Sequence, residues 1–253
     1  MTQNKVVVII VGRDRPLADD LQSFIERHHK SIATHRVFVD GRQAHASEFF
    51  RFQKSHFQET ARLLAPGEFG CLRSHMEAYR IISEAGRPCL IVEDDATPRA
   101  FVTLDLLRAA LARCEDGDAI HLGVQNGLPT YFPTDEKTLW GIPGGFVIWR
   151  TAAYIIGPGA AGRLRVFQSE RTHRADDWHV FTQARVLNLK YLDLFDHPVE
   201  KNHGMESERL GTELSLRAEL KKKCWAMVQR RTRAYFGELK ATSLGTIEPA
   251  IDW

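Results

Sequence analysis

The sequence predicts an α/β fold built on a mainly parallel central sheet, and three observations carry that prediction. Residues 6–11, VVVIIV, form an unbroken β-branched run of the kind found in strands covered on both faces, closed by Gly12. Leu17, Leu21, Phe24, Ile25 and His28 recur at helical spacing, and residues 37–40, VFVD, read as a second strand before Gly41. Strand, helix and strand in that order imply a parallel pair joined by a crossover. Residues 66–95 then repeat the alternation and end it on three consecutive acids, Glu93, Asp94 and Asp95.

Taken in order, residues 49–64 are rich in Phe, Gln, His and Arg with weak helical periodicity, which fits either a surface helix or a mobile segment over the site. Pro66-Gly67 reads as a turn, and Ser74 with Glu77 has the S-x-x-E spacing of a capping box, so a helix is expected to start at His75. Met76, Tyr79 and Ile82 supply its apolar face, and Gly86-Arg87-Pro88 stops it. Residues 89–92, CLIV, are a short apolar run suited to a buried central strand. Leu104, Leu107, Leu111 and Cys114 mark the next helix, and residues 119–122 a further strand. Residues 123–145 are dense in Gly and Pro and read as loop. Apolar runs at 146–149 and 154–156 follow, then a helix opened by Pro158, a helix from Trp178 behind Asp176 and Asp177, and a late strand over 189–195.

The chain has 253 residues, enough for one large domain over 1–204 with a helical, basic appendage over 205–253. A net charge of +2 gives no reason to invoke nucleic acid. The four cysteines are widely spaced without a C-x-x-C pair, which fits reduced thiols in a cytoplasmic setting. The apolar run 6–11 is too short for an export signal, and no stretch approaches the length of a membrane span. In the appendage, Leu216, Leu220, Cys224, Val228 and Tyr235 lie near one helical stripe beside Lys221, Lys222, Lys223, Arg230 and Arg231. That pattern fits a basic helix resting peripherally on an anionic membrane, or a packed helix with a solvated basic face.

The acidic trio is the sharpest chemical signal. Three adjacent carboxylates repel unless a cation or hydrogen-bond donors compensate, and ligands in open α/β sheets bind at strand carboxyl ends. A divalent ion bridging a nucleotide's diphosphate fits such a tip, and a solvated acidic turn is the plainer alternative.

The stretch from Gly67 to His75, GEFGCLRSH, followed by residues 90–95, LIVEDD, resembles glycosyltransferase family 25, the lipooligosaccharide galactosyltransferases, with their G-E-x-G-C-x-x-S-H and E-D-D blocks. Residues 151–161 resemble the family's A-Y-I-I-x-x-x-A-A stretch, and Asp177-Trp178 stands where its members carry D-W. The resemblance implies a GT-A-like (Rossmann-like) nucleotide-sugar-binding domain and inverting transfer of galactose from UDP-galactose to a saccharide hydroxyl. It implies Mn²⁺ or Mg²⁺ held by Glu93 and Asp95 in a D-x-D-like motif, with Asp94 near ribose or sugar, and Glu68, Ser74 and His75 shaping the donor site. Local readings stand beside these: Ser74 as a helix cap and His75 as a packed side chain.

Inverting transfer needs a carboxylate to take the acceptor proton. Asp177 is the candidate base and Asp176 the alternative, against the reading that both only cap a helix. Arg13 is placed to meet the nucleotide or to be solvated, and His203 is a candidate third metal ligand. The expected activity is galactosyl transfer in lipopolysaccharide or lipooligosaccharide assembly, to an acceptor that is lipid-linked or free, on the cytoplasmic face of a bacterial membrane. The competing expectations are glucosyl or other hexosyl transfer to a capsule or glycoprotein acceptor, and a nucleotide-sugar-binding protein without turnover.

Overall fold

A computed structural model describes residues 5–12, 16–123, 138–142, 148, 150–196 and 241–243. Strand β1 (Val6–Val11) is buried at every position, as its β-branched run requires. Helix α1 (Asp19–Arg27) places Asp19 and Asp20 in its first turn and buries Leu21 and Phe24. Strand β2 (Ile32–Val37) begins earlier than the expected 37–40, because its parallel register with β1 pairs Ile32 with Val6 and Val37 with Val11. It is an edge strand with an exposed middle, so its apolar residues are confined to its ends, and Phe38 beyond it is 45% exposed.

Helix α2 (Ala46–Thr60) settles the ambiguous 49–64 stretch as helix, and its weak periodicity reflects burial of only Phe52, Gln53 and His56. Helix α3 (Pro66–Ala85) starts nine residues before the expected His75. Pro66 opens its first turn and Glu68 Oε2 accepts the Ala65 backbone N–H at 3.0 Å, so the acid three residues on does the capping that Ser74 was expected to do. Ser74 instead lies inside the helix, donating to the Gly70 carbonyl and accepting Val39 N–H. Gly41 and Gly70 permit the contact between the end of the β2 connection and α3: a Cβ on Gly41 would stand 2.0 Å from Pro66 O. Gly86, at φ 64°, ends the helix as expected.

Strand β3 (Cys89–Glu93) follows, then the short β4 (Thr97–Pro98), α4 (Leu104–Ala112) and β5 (Asp118–Gly123). Strand β6 (Thr138–Ile142) lies within the Gly- and Pro-dense stretch expected to be loop; its residues, TLWGI, pair antiparallel with a later strand. Strand β7 (Ala153–Ile156), α5 (Pro158–Glu170), α6 (Trp178–Gln183), β8 (Asn188–Asp196) and β9 (Ala241–Ser243) complete the described elements.

The sheet order is β2-β1-β3-β7-β5-β8-β6-β9, with β4 on β8. Strands β1, β2, β3, β5, β8 and β9 run one way, while β4, β6 and β7 run the other. The architecture is therefore mixed α/β with most strands aligned, and β7 is the reversed strand between β3 and β5. Alternate strand residues feed two cores. Val7, Ile9, Cys89 and Ile91 face α3, α5 and α6, while Val6, Val8, Leu90 and Val92 face α1 and α4. A smaller cluster of Phe52, Leu64, Phe69, Leu72 and Met76 joins α2 to α3. Strand β9 falls within the stretch expected to be a helical appendage and adds to the sheet edge beside β6; the rest of 205–253 lies outside the described residues, as do Arg13 and His203. Among the described residues no helix is long and apolar enough to cross a membrane.

The close approach at Gly41 supplies a test. Gly41→Ala is expected to lower unfolding stability by about 1–3 kcal/mol, because a methyl group there meets backbone that must move. Urea unfolding indistinguishable from wild type would show that the approach is not tight.

Candidate active site

Strand order 2-1-3 makes the gap between β1 and β3 the point where the chain switches direction across the sheet, and ligands in open α/β folds bind outside the carboxyl ends of strands at such a point. Val11 pairs with Glu93 there. The acidic tip and Gly12 thus face the switch-point crevice, as the position of the acids at a strand end anticipates.

The three acids are not equivalent. Asp94 is buried, its backbone N–H donates to Val11 O at 3.0 Å, and its carbonyl accepts Ala18 N–H at 2.9 Å. Its carboxyl group lies so close to Gly12 that a Cβ on that glycine would stand 2.3 Å from Asp94 Cγ. Asp94 therefore ties the end of β1 to the start of α1. Glu93 continues the α3-facing side of β3 and keeps 20% of its side chain exposed. Its Oε1 accepts a short hydrogen bond from Thr151 Oγ1 and lies 3.6 Å from His75 Nε2. Asp95 is half-buried at the turn beyond.

His75 is fully buried and stacks on Tyr154 with ring centroids 5.7 Å apart. Its Nδ1 lies 2.7 Å from the Tyr154 hydroxyl, which donates to Tyr79 Oη at 3.2 Å. Burial raises the phenol pKa of both tyrosines, so they are neutral donors throughout the working range. His75 therefore meets the crevice through Glu93 and not directly. Glu68 is also turned inward: it is buried, receives a two-oxygen contact from Arg62 at 2.9 and 3.2 Å, and caps α3.

Asp176 and Asp177 precede α6, and Trp178 carries them to the same region. Its indole N–H donates to Arg150 O at 2.7 Å, one residue before Thr151, and its ring meets Tyr154 edge-on. Arg150 sits at φ 73°, a conformation rare for a side-chain-bearing residue, with its carbonyl also 3.0 Å from His121 Nε2. Asp177 is 5% exposed and bound by Arg174, whose guanidinium reaches Oδ1 at 2.9 Å and whose backbone N–H reaches Oδ2 at 3.0 Å. Although burial alone would raise it, the Arg174 charge and these hydrogen bonds hold the Asp177 carboxyl below the ordinary range. It does not cap α6 with its side chain. Asp176 keeps 18% of its side chain exposed, 3.5 Å from Arg174 Nε. Behind this pair, burial lowers the pKa values of His56, His173 and His179.

Sequence reasoning missed Thr151, Tyr154 and Tyr79 as partners of the candidate residues, since the Thr151–Glu93, His75–Tyr154 and Tyr154–Tyr79 contacts span tens of residues in the chain; it also missed Arg174, although Arg174 lies only three residues before Asp177. It also missed Asp193, buried on β8 and paired with Arg99 at 2.9 Å. The β4 pairing with β8 places that pair just beyond the acidic tip. Cys71 is one helical turn before His75, a spacing visible in the sequence.

The model of glycosyltransferase family 25 (LPS biosynthesis protein) matches residues 22–102. Those residues are similar to glycosyltransferase family 25. The match agrees with the resemblance read from the two sequence blocks, and the function class that accompanies it is glycosyl transfer between a sugar donor and a saccharide acceptor. The family 25 segment includes Cys71, His75 and the acids at 93–95 and stops before Asp176 and Asp177. No curated protein matches the chain significantly. One solved structure, described as a glycosyltransferase involved in the glycosylation of the major capsid of PBCV-1, shares 8% identity over 81% of this chain and 99% of its own, with a TM-score of 0.39. A likeness that low carries no argument about this chain.

Asp193 supplies a pH test. Burial pushes its carboxyl up to about 6 from an ordinary 3.8, so the folded state binds the extra proton between those values. Its contribution to stability is full below about pH 4 and is lost as pH rises through 6. Relative to wild type, Asp193→Asn is expected to gain stability progressively from pH 4 to 6 and to hold a constant difference above. Urea midpoints that differ by the same amount at every pH would refute the raised value.

Proposed function

We propose that this protein transfers galactose from UDP-galactose, with inversion, to a hydroxyl of a saccharide in lipopolysaccharide or lipooligosaccharide assembly, through a GT-A-like domain spanning 1–204. The observation that carries this reading is the coincidence of the family 25 segment's acidic tip with the switch-point crevice between β1 and β3. A lipid-linked acceptor and work at the cytoplasmic face of a bacterial membrane belong to the same reading, supported by the family's description as an LPS biosynthesis protein.

The oxygen donors of Glu93 and Asp95 suit Mn²⁺ or Mg²⁺ chemically, and Asp94, committed to Gly12, would support them without joining the shell. When bound, that ion would offset the charge developing on the departing diphosphate. Thr151 holds Glu93, and His75 stands behind it, so the carboxylate's orientation is set from two sides. Between the two candidate bases, Asp177 is sequestered by Arg174 and weakened as a proton acceptor. Asp176, the more open, is the base in this reading, taking the acceptor hydroxyl proton as its oxygen attacks the anomeric carbon. Asp177 and Arg174 then hold the loop that presents it.

UDP release from a panel of UDP-sugars, with and without saccharide acceptors, tests the reading. UDP-galactose is expected to give metal-dependent release that falls to background in Glu93→Ala/Asp95→Ala. Asp176→Asn is expected to lower kcat about 10²–10⁴-fold with donor affinity kept. Release from another UDP-sugar alone would reassign the donor, binding without release from any would point to a non-turnover protein, and near-normal kcat in D176N would remove Asp176 as the base.

A further inference from the structure

We propose that Cys71, His75 and Glu93 form a binding site for a thiophilic divalent cation, Zn²⁺ in the first instance, set behind the acidic tip where α3 packs on β3. The inference goes beyond the donor reading and does not rest on it. One ligand atom from each of the three side chains lies within 4.8 Å of the others, the one such grouping of three among the described residues. Cys71 and His75 are four residues apart on α3 and so share one helical face, and Glu93 ends the strand against which that face lies.

The imidazole carries the argument. His75 is fully buried, and among the described residues its Nε2 has no hydrogen-bond partner, lying 3.6 Å from Glu93 Oε1. That is beyond a hydrogen bond and within the separation of two atoms bound to one ion. On the other side of the ring, the Tyr154 hydroxyl donates to Tyr79, so its oxygen is left to accept from His75 Nδ1–H. This tautomer, assigned from the hydrogen-bond chain, turns the Nε2 lone pair toward the carboxylate. Two acceptors facing each other in a buried space are unfavourable, and a cation between them relieves it. A ligating histidine with its second nitrogen held by a hydrogen-bonded partner is also the usual support for a metal-bound imidazole.

The donor set selects the ion. One sulfur, one nitrogen and one carboxylate oxygen suit Zn²⁺, whereas Mg²⁺ and Mn²⁺ favour oxygen alone. Tetrahedral Zn²⁺ with bonds of roughly 2.0–2.3 Å puts its ligand atoms roughly 3.3–3.7 Å apart, so about an ångström of side-chain movement closes the shell from its present spread. Three protein ligands leave a fourth position open to water or a bound group. Cys89 and Cys114 are poor rivals for the ion: burial pushes their thiols up to about 11 and about 12, which opposes the thiolate that metal binding requires.

The test reads metal content and not turnover, so its failure is separate from failure of the transferase reading. The full chain is stripped with chelator and titrated with Zn²⁺ against a chromogenic competitor, then with Co²⁺ by absorbance. Wild type and Cys114→Ala are expected to bind one Zn²⁺ and to show a thiolate-to-cobalt charge-transfer band. Cys71→Ser and His75→Gln are expected to bind at least ~10-fold more weakly and to lose the band, and Tyr154→Phe, which keeps all three ligands, to weaken binding about 10–100-fold. Circular dichroism confirms that each variant is folded, and because Cys71→Ser is a near-isosteric change it keeps the test valid if His75→Gln is not. Absence of a stoichiometric Zn²⁺ in wild type, or equal affinity in wild type and Cys71→Ser, would overturn the proposal and leave His75 and Glu93 as a plain histidine–carboxylate pair.

Discussion

The ends of β1 and β3 are locked together through Asp94 and Gly12. The Asp94 backbone is shared between Val11 O and Ala18 N–H, so one residue joins both strands and the start of α1. Its side chain fills the space that any Cβ on Gly12 would occupy. The strand ends are held in register by the backbone bond from Asp94 N–H to Val11 O. Glu93 and Asp95 on either side are less buried, and Glu93 keeps 20% of its side chain exposed. The middle acid of the trio acts as a structural rivet, and the outer two are the less buried ones.

From that point a polar line runs inward beneath the sheet. Glu93 meets Thr151 and His75, His75 meets Tyr154, and Tyr154 meets Tyr79, all between β3, β7 and α3. Every link of this chain is within hydrogen-bond distance except that between His75 Nε2 and Glu93, at 3.6 Å. Its members come from residues 75, 79, 93, 151 and 154, and it is continuous only because β7 runs antiparallel beside β3, pairing Ile91 with Tyr154. The reversed strand interrupting the aligned set is thus the one that brings Thr151 and Tyr154 to the site.

A second clamp, Arg174 on Asp177 and Asp176, lies on the far side of Trp178. The Trp178 and His121 contacts to the Arg150 carbonyl hold that residue in its unusual conformation and couple the 174–178 loop to Thr151. Asp177 is pinned by Arg174 and nearly fully buried, and Asp176, also facing Arg174, keeps 18% of its side chain exposed, an uneven burial shared with the acidic trio. In both places the most buried acid keeps the backbone in position for its neighbour.

Sequence by itself determined the elements whose signals are local and the segment similar to glycosyltransferase family 25. The β-branched run of β1, the apolar run of β3, the Gly86 stop, Pro158 at the start of α5 and the acids at a strand end are all legible because strand burial, helix breaking and turn chemistry act over a few residues. The two blocks around His75 and Glu93 likewise lie within the matched 22–102. Tertiary structure decided what depends on partners distant in the chain. It moved β2 back to the register set by β1, made a strand of 138–142 through pairing with β8, and started α3 at Pro66, turning Ser74 from a cap into an anchor for Val39. It also separated the roles of adjacent acids that look alike in sequence. A carboxylate's chemistry is set by which cation, hydroxyl or backbone group faces it, and those groups are assembled from residues that only folding brings together.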